Sequence, residues 1–277
     1  MTFKKRMFNQ VSAIAVTRAI KEDSDMTAMW NLSLKILPKL EDHYATVKLS
    51  GENLLRVRML ICAQAIFVKR IINQFENLGA KIESYVDIGD SDGSTRMLLE
   101  KSINNQGVKS LGINIQKKAV ELIRKNSLEA ECMDAMDLNA QTRKFDLVFV
   151  FETLEHLPNP IGFLENMQHV VNKRLIISVP LIVNSRVGLR YLTGKWTYGE
   201  IPTIANNHIY ELSPKDWTKL FWHTGWRVDH EWKVRQFPKR GLLKMLMQYA
   251  WRKISFEGFY FVSLVKDSKY SSQYTIE

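Results

Sequence analysis

The first eighty residues carry apolar positions at helical spacing. Apolar residues recur three and four positions apart over 25–40 and again over 53–78, and Gly79 is a suitable helix stop. At the start of the chain, basic residues precede a short apolar stretch that polar residues interrupt, which favours a helix over a signal peptide. We therefore predict a helical extension over residues 1–80, serving as a lid over the site or as a dimer contact.

The pattern changes at residue 85, where short apolar runs begin to alternate with helical segments. Strands that alternate with helices imply right-handed crossovers and a mostly parallel sheet, here over residues 81–277. The strongest strands are nearly continuous apolar runs, as expected for a sheet covered on both faces. We predict strands at 85–88, 110–115, 129–133, 145–151, 174–179 (ended by Pro180), 226–234 and 258–266, and helices at 96–102, 117–126, 162–171, 213–224 and 240–253.

A long loop interrupts this alternation after Pro180. It is rich in Gly, Asn, Thr and aromatic residues, and we treat 181–212 as an insertion that binds substrate. Ser213 is the predicted N-cap of the helix that follows, with Pro214 at its first position.

Five short motifs lie at or just after five successive predicted strands. They are DIGDSDG at 87–93, LGINIQKKAVELIRKN at 111–126, DAMDL at 134–138, FDLVFVFETLEHLPNP at 145–160 and RLIISVP at 174–180. Glycines between a strand and a helix let the backbone approach a ligand, and the helix N-terminus supplies free N–H groups. A nicotinamide-binding turn would need Gly-x-Gly-x-x-Gly, and Ser91 and Ser94 stand where that pattern requires glycine.

Together these motifs resemble those of class I S-adenosylmethionine-dependent methyltransferases, from about residue 85 to residue 265. The resemblance implies a Rossmann-like α/β fold, with a seven-stranded, mostly parallel sheet, helices on both faces and the N-terminal extension. It also implies S-adenosylmethionine as cofactor, with Asp87 beside the amino group, Asn114 at the ribose and Asp134 at the adenine. The full implied set is Asp87, Gly89, Asp90, Ser91, Gly93, Asn114, Ile115, Asp134, Ala135 and Phe151, with Phe151 beside the methyl donor.

Two residues depart from the family pattern. Ser91 replaces the middle glycine of the first motif, and its Cβ is expected to crowd the turn. Asn114 replaces the acid at the ribose and offers one acceptor oxygen where a carboxylate has two. Both changes predict weaker cofactor binding, and they keep a catalytically degenerate partner subunit as an alternative.

Two histidines are the candidate catalytic residues. His156 follows the fourth predicted strand, where an imidazole can act as base on an acceptor hydroxyl, or can simply pack the next turn. Glu152 and Glu155 flank it, either to orient it or as part of a solvated helix start. His208 lies in the segment NNHIYELSP.

The substrate loop resembles that of methyltransferases that modify bacterial surface polysaccharides and sugars. Trp196, Tyr198 and Tyr210 are the candidate substrate-binding residues, because aromatic rings stack on sugars; the alternative is a packed surface loop. We therefore predict O-methylation of a sugar or glycan. The alternatives are an RNA or protein methyltransferase and the degenerate partner subunit.

Charge bears on the partners. Lys and Arg number 39 against 29 Asp and Glu, a net charge of +10 that favours anionic substrates. A nucleic acid is not favoured, because no RNA-binding motif appears.

The segment LLKMLMQYAW at 242–251 has an amphipathic pattern that suits peripheral membrane contact, or a crossover helix with its Leu and Met in the core. No His, Cys or Asp cluster has metal-ligand spacing, so no metal is expected. Cys62 and Cys132 are predicted to be buried free thiols, which favours a cytoplasmic location.

Overall fold

The structure, a computed structural model, describes residues 3–40, 51–103, 107–187, 208–252 and 256–274. Its strands are β1 (Ser84–Ile88), β2 (Lys109–Asn114), β3 (Ala130–Cys132), β4 (Phe145–Phe151), β5 (Val171–Ile182), β6 (Arg186–Val187), β7 (Tyr210–Glu211), β8 (Trp226–Arg235) and β9 (Phe256–Lys266). Its helices are α1 (Phe3–Lys21), α2 (Ser24–Ile36), α3 (Gly51–Asn77), α4 (Ser94–Ser102), α5 (Lys117–Lys125), α6 (Asp137–Ala140), α7 (Pro160–Val170), α8 (Pro214–His223) and α9 (Leu242–Arg252).

Seven strands form one sheet in the order β3-β2-β1-β4-β5-β9-β8. β1 to β5 pair in parallel, and β9 runs antiparallel to both β5 and β8. The strand order reverses at β1, which lies between β2 and β4, and ligands of open α/β sheets bind at the carboxyl ends of strands beside such a switch point. The predicted Rossmann-like fold is therefore confirmed.

The N-terminal helices cover one face of this sheet. Ile66 and Phe67 of α3 belong to the same buried cluster as Phe149 of β4 and Phe261 of β9, so the extension shares its core with the sheet. The helix predicted to reach residue 40 ends at Ile36 instead, because Pro38 disfavours helical backbone at the residue before it. The lid and dimer roles of residues 1–80 stay predictions.

Pro180 does not end β5, although the sequence predicted that it would. The pairing of β5 with β4 stops at Ser178, whereas the pairing with β9 continues past Pro180 to Ile182. Beyond Ser178 the strand has a partner on one side only, and proline is tolerated where one edge of a strand needs no donor.

The described surface corrects two expectations about exposure. Cys62 is buried as predicted, but Cys132 is exposed. In α9 the prediction of a helix with its Leu and Met in the core is only partly right. Met247 is buried, whereas Leu242, Met245, Leu246 and Tyr249 are exposed. Peripheral membrane contact through this face stays a prediction. No helix in the described part of the chain is long and apolar enough to cross a membrane.

Candidate active site

A mostly apolar cavity of about 250 Å³ lies at the carboxyl ends of β1, β2 and β3 and against the segment that follows β4. The sequence predicted five of its residues as cofactor contacts, namely Gly89, Asn114, Ile115, Asp134 and Ala135. Sequence reasoning missed the apolar walls, because single Met, Leu and Phe residues carry no ligand signal. The lining residues are Ile88, Gly89, Ile113, Asn114, Ile115, Met133, Asp134, Ala135, Met136, Thr153, Leu157, Pro158, Asn159 and Phe163.

The turn after β1 needs its two glycines. Gly89 has φ +85°, and a Cβ there would collide with the Thr153 hydroxyl. Gly93 has φ +82° and is the N-cap of α4, where a Cβ would meet Leu128 at 2.5 Å. Both backbone conformations are ones that glycine adopts without strain. Gly89 itself lines the cavity, where the sequence predicted a close approach of the backbone to a ligand.

Asp90 stabilises this turn from inside the protein. Its carboxylate accepts hydrogen bonds from the Gly93 N–H at 2.8 Å and from Arg96 Nε at 2.7 Å, and the Arg96 side chain is fully buried. Asp90 was predicted as a cofactor contact, but it is not among the residues that line the cavity. The same holds for Ser91 and Gly93, so these residues shape the turn behind the cavity.

Asn114 links the end of β2 to the same turn. Its Nδ2 donates to the Asp90 carbonyl at 2.9 Å, and its Oδ1 accepts from the Gln116 N–H at 2.8 Å. A carboxylate could not donate the first of these bonds. The amide that looked like a weaker ribose ligand therefore has a structural role of its own, while still lining the cavity.

Asp134, which the sequence predicted at the adenine, and its neighbour Ala135 both line the cavity. Asp134 is exposed, and its Oδ1 accepts from the Met136 N–H at 2.9 Å, which shapes the turn around buried Ala135. Phe151 is different, because it packs in the core with its ring stacked on Phe149 at 5.5 Å between centroids. It does not line the cavity, so the structure gives no support for Phe151 beside the methyl donor.

The two candidate histidines meet beside the cavity. Their rings pack edge to face with centroids 4.7 Å apart. His208 Nδ1 lies 3.1 Å from Glu211 Oε1, and His156 Nε2 lies 4.0 Å from Glu155 Oε1. The Ile209 N–H donates to the Glu155 carbonyl at 2.9 Å, which fixes the two segments against each other. The short strand β6 follows β5 in the chain, and β7 pairs with it. This pairing places His208, two residues before β7, near the end of β4.

One of the two acids beside His156 is enclosed, so the alternative of a solvated helix start is wrong for Glu155. Glu155 is fully buried, and burial together with the negative charges of Glu152 and Glu211 raises its pKa. Burial raises the pKa of Glu152 to about 8, against the opposing hydrogen bond from the Ser178 hydroxyl at 2.9 Å. Glu152 also has φ +46°, a strained backbone for a non-glycine residue, as is frequent at functional sites.

The predicted substrate-binding aromatics are only partly described. Tyr210 lies in β7 at the rim of the cavity, where its hydroxyl donates to the Pro158 carbonyl at 3.4 Å. Trp196 and Tyr198 lie outside the described residues. Glu211 was missed as a site residue, and its position three residues after His208 was the available signal.

The cavity fits the nucleoside half of S-adenosylmethionine. Its volume is close to the lower end of the range for small-molecule sites, and apolar walls with a few polar groups are typical of such sites. Gly89 lines the cavity with its backbone, and the Asn114 and Asp134 side chains add polar groups to the wall. Asp87, buried in β1, lies behind the turn with Asp90 and Arg96.

Comparisons with known proteins agree with this geometry. A family model described as a methyltransferase domain matches residues 63–231, which is more than half of the chain. None of the curated protein sequences is a significant match. Many solved structures share the fold.

An O-methyltransferase from a trans-AT PKS multienzyme of Brevibacillus brevis, in complex with S-adenosyl-L-homocysteine, has a TM-score of 0.52. It is 13% identical, over 85% of this chain and 79% of that chain. The plantazolicin methyltransferase BpumL, in complex with a monoazolic desmethylPZN analog and SAH, has a TM-score of 0.51 at 14% identity, over 95% of this chain and 98% of that chain. The Burkholderia thailandensis 1,6-didemethyltoxoflavin-N1-methyltransferase, with S-adenosylhomocysteine bound, has a TM-score of 0.50 at 14% identity, over 74% and 79%. At these identities the likeness shows the shared fold. The chain therefore belongs to the methyltransferase domain family and has the class I methyltransferase fold.

Proposed function

We propose that this methyltransferase acts on a hydroxyl group of a sugar or glycan. The observation that carries the proposal is the pair of histidines, each beside a carboxylate, at the end of β4 and next to the cavity. A hydroxyl oxygen is a poor nucleophile until its proton is removed, and removal needs a positioned acceptor or an equivalent charge. A cluster of imidazoles and carboxylates at this position supplies a proton acceptor and the negative charge that supports it.

S-adenosylmethionine supplies the methyl group, carried on a sulfonium, when it is bound. The residues of this chain have the remaining tasks of alignment and proton removal. Thr153 and Leu157 line the cavity, and His156 lies between them in the chain, so the histidine pair adjoins the cofactor cavity. Glu211 orients the His208 ring through Nδ1 and thereby decides which nitrogen faces the acceptor.

The sugar part of the proposal rests on the aromatic residues of the substrate loop and on the net charge. Tyr210 at the cavity rim and the segment GKWTYG at 194–199 are of the type that stacks on sugar rings. The net charge of +10 favours an acceptor that carries phosphate, such as a nucleotide-linked sugar. A homodimer and an anionic acceptor belong to the same proposal.

The substrate class is tested by following methyl transfer to nucleotide sugars, glycans, RNA and peptides under the same conditions. We expect turnover with a sugar acceptor, and Trp196→Ala should lower kcat/KM about 10-fold or more by removing a stacking surface. Affinity for S-adenosylhomocysteine, measured by calorimetry, should stay unchanged. Unchanged turnover in this variant would contradict the loop assignment. Turnover on RNA alone, with steep salt dependence, would favour the polyanion alternative.

The cofactor contact assigned to Asp87 has its own test. Asp87→Asn should weaken S-adenosylhomocysteine binding about 10- to 100-fold, which is the usual value of a hydrogen bond to a charged group. Burial and the negative charge of Asp90 raise the pKa of Asp87 in the folded state, with Arg96 opposing. The wild-type protein should therefore lose stability as pH rises from the ordinary carboxyl pKa towards this raised value, and Asp87→Asn should lose that slope.

Calorimetry and thermal unfolding between pH 4 and pH 8 provide the two readouts. Asp137→Asn, at an exposed acid in the first turn of α6, is the matched control and should leave both unchanged. Cofactor affinity that survives in Asp87→Asn would remove this residue from the site. Absence of cofactor binding in the folded wild-type protein would instead support the degenerate alternative.

A further inference from the structure

We propose that Glu155, His156 and His208 bind a divalent transition-metal cation, and that this cation holds the acceptor hydroxyl. The inference rests on the proposed function, since it names the agent that activates that hydroxyl. The three side chains each offer one ligand atom, and these atoms lie within 4.8 Å of one another. They come from two segments that the fold brings together, which is why the sequence spacing predicted no metal.

The carboxylate of Glu155 is the observation that points to a ligand. Both of its oxygens are buried, and neither has a hydrogen-bond partner. A buried carboxyl group that accepts no hydrogen bond is unfavourable, and such a group in a native protein indicates an ion or ligand that binds there. The main chain holds it in place, because the Ile209 N–H donates to the Glu155 carbonyl at 2.9 Å.

The environment of His208 matches that of a metal ligand. Its Nδ1 lies 3.1 Å from Glu211 Oε1, which leaves the other ring nitrogen, Nε2, as the potential ligand. Metal-binding histidines almost always make such a contact between the second ring nitrogen and a carboxylate or carbonyl. The Glu211 side chain is itself nearly fully buried.

The charge at this point favours a cation. Glu155 lies beside His156 and Glu211 beside His208, and the negative charges of Glu152 and Glu211 both act on Glu155. In the described part of the chain, neither Glu152 nor Glu155 forms an ion pair with a lysine or arginine. A bound cation would compensate the ionised forms of these acids, which burial alone disfavours.

The donor set defines the class of metal. Two imidazole nitrogens with one carboxylate suit Zn²⁺, Co²⁺, Fe²⁺ or Mn²⁺, whereas Ca²⁺ and Mg²⁺ prefer oxygen ligands. Donors of a tetrahedral zinc ion lie about 3.3 Å apart, so binding would draw the three side chains together by roughly 1 Å. Three protein ligands leave a coordination position open, as catalytic sites require. A hydroxyl held there loses its proton more readily.

The test is a titration of the full chain with CoCl₂ after treatment with a chelator. Co²⁺ bound by nitrogen and oxygen ligands gives a visible absorption band, and calorimetry gives the stoichiometry. We expect one Co²⁺ per chain with a micromolar Kd. Glu155→Gln and His208→Ala should each weaken binding at least 10-fold, and Glu211→Gln about 10- to 100-fold. His169→Ala, at an exposed histidine of α7, is the matched control and should bind like the wild type.

Thermal unfolding separates a lost ligand from a damaged fold. Without metal, Glu155→Gln should be close to the wild type in stability, because an amide of nearly the same shape replaces a buried acid whose oxygens accept no hydrogen bond. Saturating Co²⁺ should raise the Tm of the wild type but not that of Glu155→Gln, since a ligand of the native state stabilises by mass action.

The proposal fails if the folded wild-type protein binds no Co²⁺ at millimolar concentration, or if Glu155→Gln and His208→Ala bind as tightly as the wild type. It also fails if methyl transfer to a sugar is unchanged by chelator; in that case the proposed function stands. Co²⁺ binding with no transfer to any sugar would support the metal site and overturn the assigned acceptor.

Discussion

Arg96→Met should lower the free energy of unfolding by about 3–5 kcal/mol, the usual cost of removing one partner of a buried ion pair. Arg96 is fully buried, and its Nε donates to Asp90 at 2.7 Å. Its other nitrogens donate to the Glu129 carbonyl at 3.0 Å and the Ser110 hydroxyl at 3.3 Å, so one side chain joins α4, β2 and the entry to β3. The variant would leave the Asp90 carboxylate buried without its counter-charge.

Urea denaturation measures this effect, and a double variant identifies its cause. Arg96→Met with Asp90→Asn removes both charges and should recover part of the lost stability, which a simple packing defect would not allow. Arg143→Met is the control at a surface ion pair, in which Arg143 Nη1 lies 2.6 Å from Glu131 Oε2 and both side chains are partly exposed. This variant should lower the free energy of unfolding by less than about 1 kcal/mol. Equal losses in Arg96→Met and Arg143→Met would refute the role given to burial.

The pair also explains a glycine that the sequence alone did not. A Cβ on Gly112 of β2 would lie 2.6 Å from Arg96 Nη2 and 2.9 Å from Asp90 Oδ2. The second motif therefore keeps this position bare to leave room for the ion pair. An acid in a glycine-rich turn can contact a cofactor or stabilise the turn, and the sequence alone suggested the first role for Asp90. The position of Arg96, which the sequence does not give, indicates the second role.

The central strands could be predicted because their sequence signal is local. β4 has the predicted limits, Phe145–Phe151, since a strand buried on both faces is a continuous apolar run. The start of α8 was equally clear, because the Ser213 cap and Pro214 act within one turn. The end of β5 was not clear, since the pairing that carries it past Pro180 comes from β9, far along the chain.

The site residues likewise divide into those that a local sequence motif predicts and those that depend on contacts between distant segments. Gly89 and Asn114 are set by the strand ends on which they lie, so a motif locates them. The contact of His208 with His156 depends on the pairing of β6 with β7, which no spacing rule reports. The burial of Glu155 depends on the same return of the chain, and a Glu beside a His in sequence looks like an ordinary solvated turn.

Replacing either histidine should have the largest effect on activity. His156→Gln and His208→Gln should each lower kcat about 10²- to 10⁴-fold, which is the usual contribution of positioned proton removal. Both variants keep a polar side chain of similar size, and neither residue lines the cofactor cavity, so S-adenosylhomocysteine affinity should stay within about twofold.

The double variant shows whether the histidines work as one unit. If His156 and His208 act on the same hydroxyl, His156→Gln with His208→Gln should be no slower than the slower single variant, because residues of one catalytic unit are strongly non-additive. If the two rings serve separate tasks, the losses should multiply. Single-turnover rates with S-adenosylmethionine prebound measure the transfer step itself, free of product release. Full activity in either single variant would contradict the proposal that the histidine pair activates the acceptor. The packing of the two rings at 4.7 Å, with a carboxylate beside each, leads us to expect one unit.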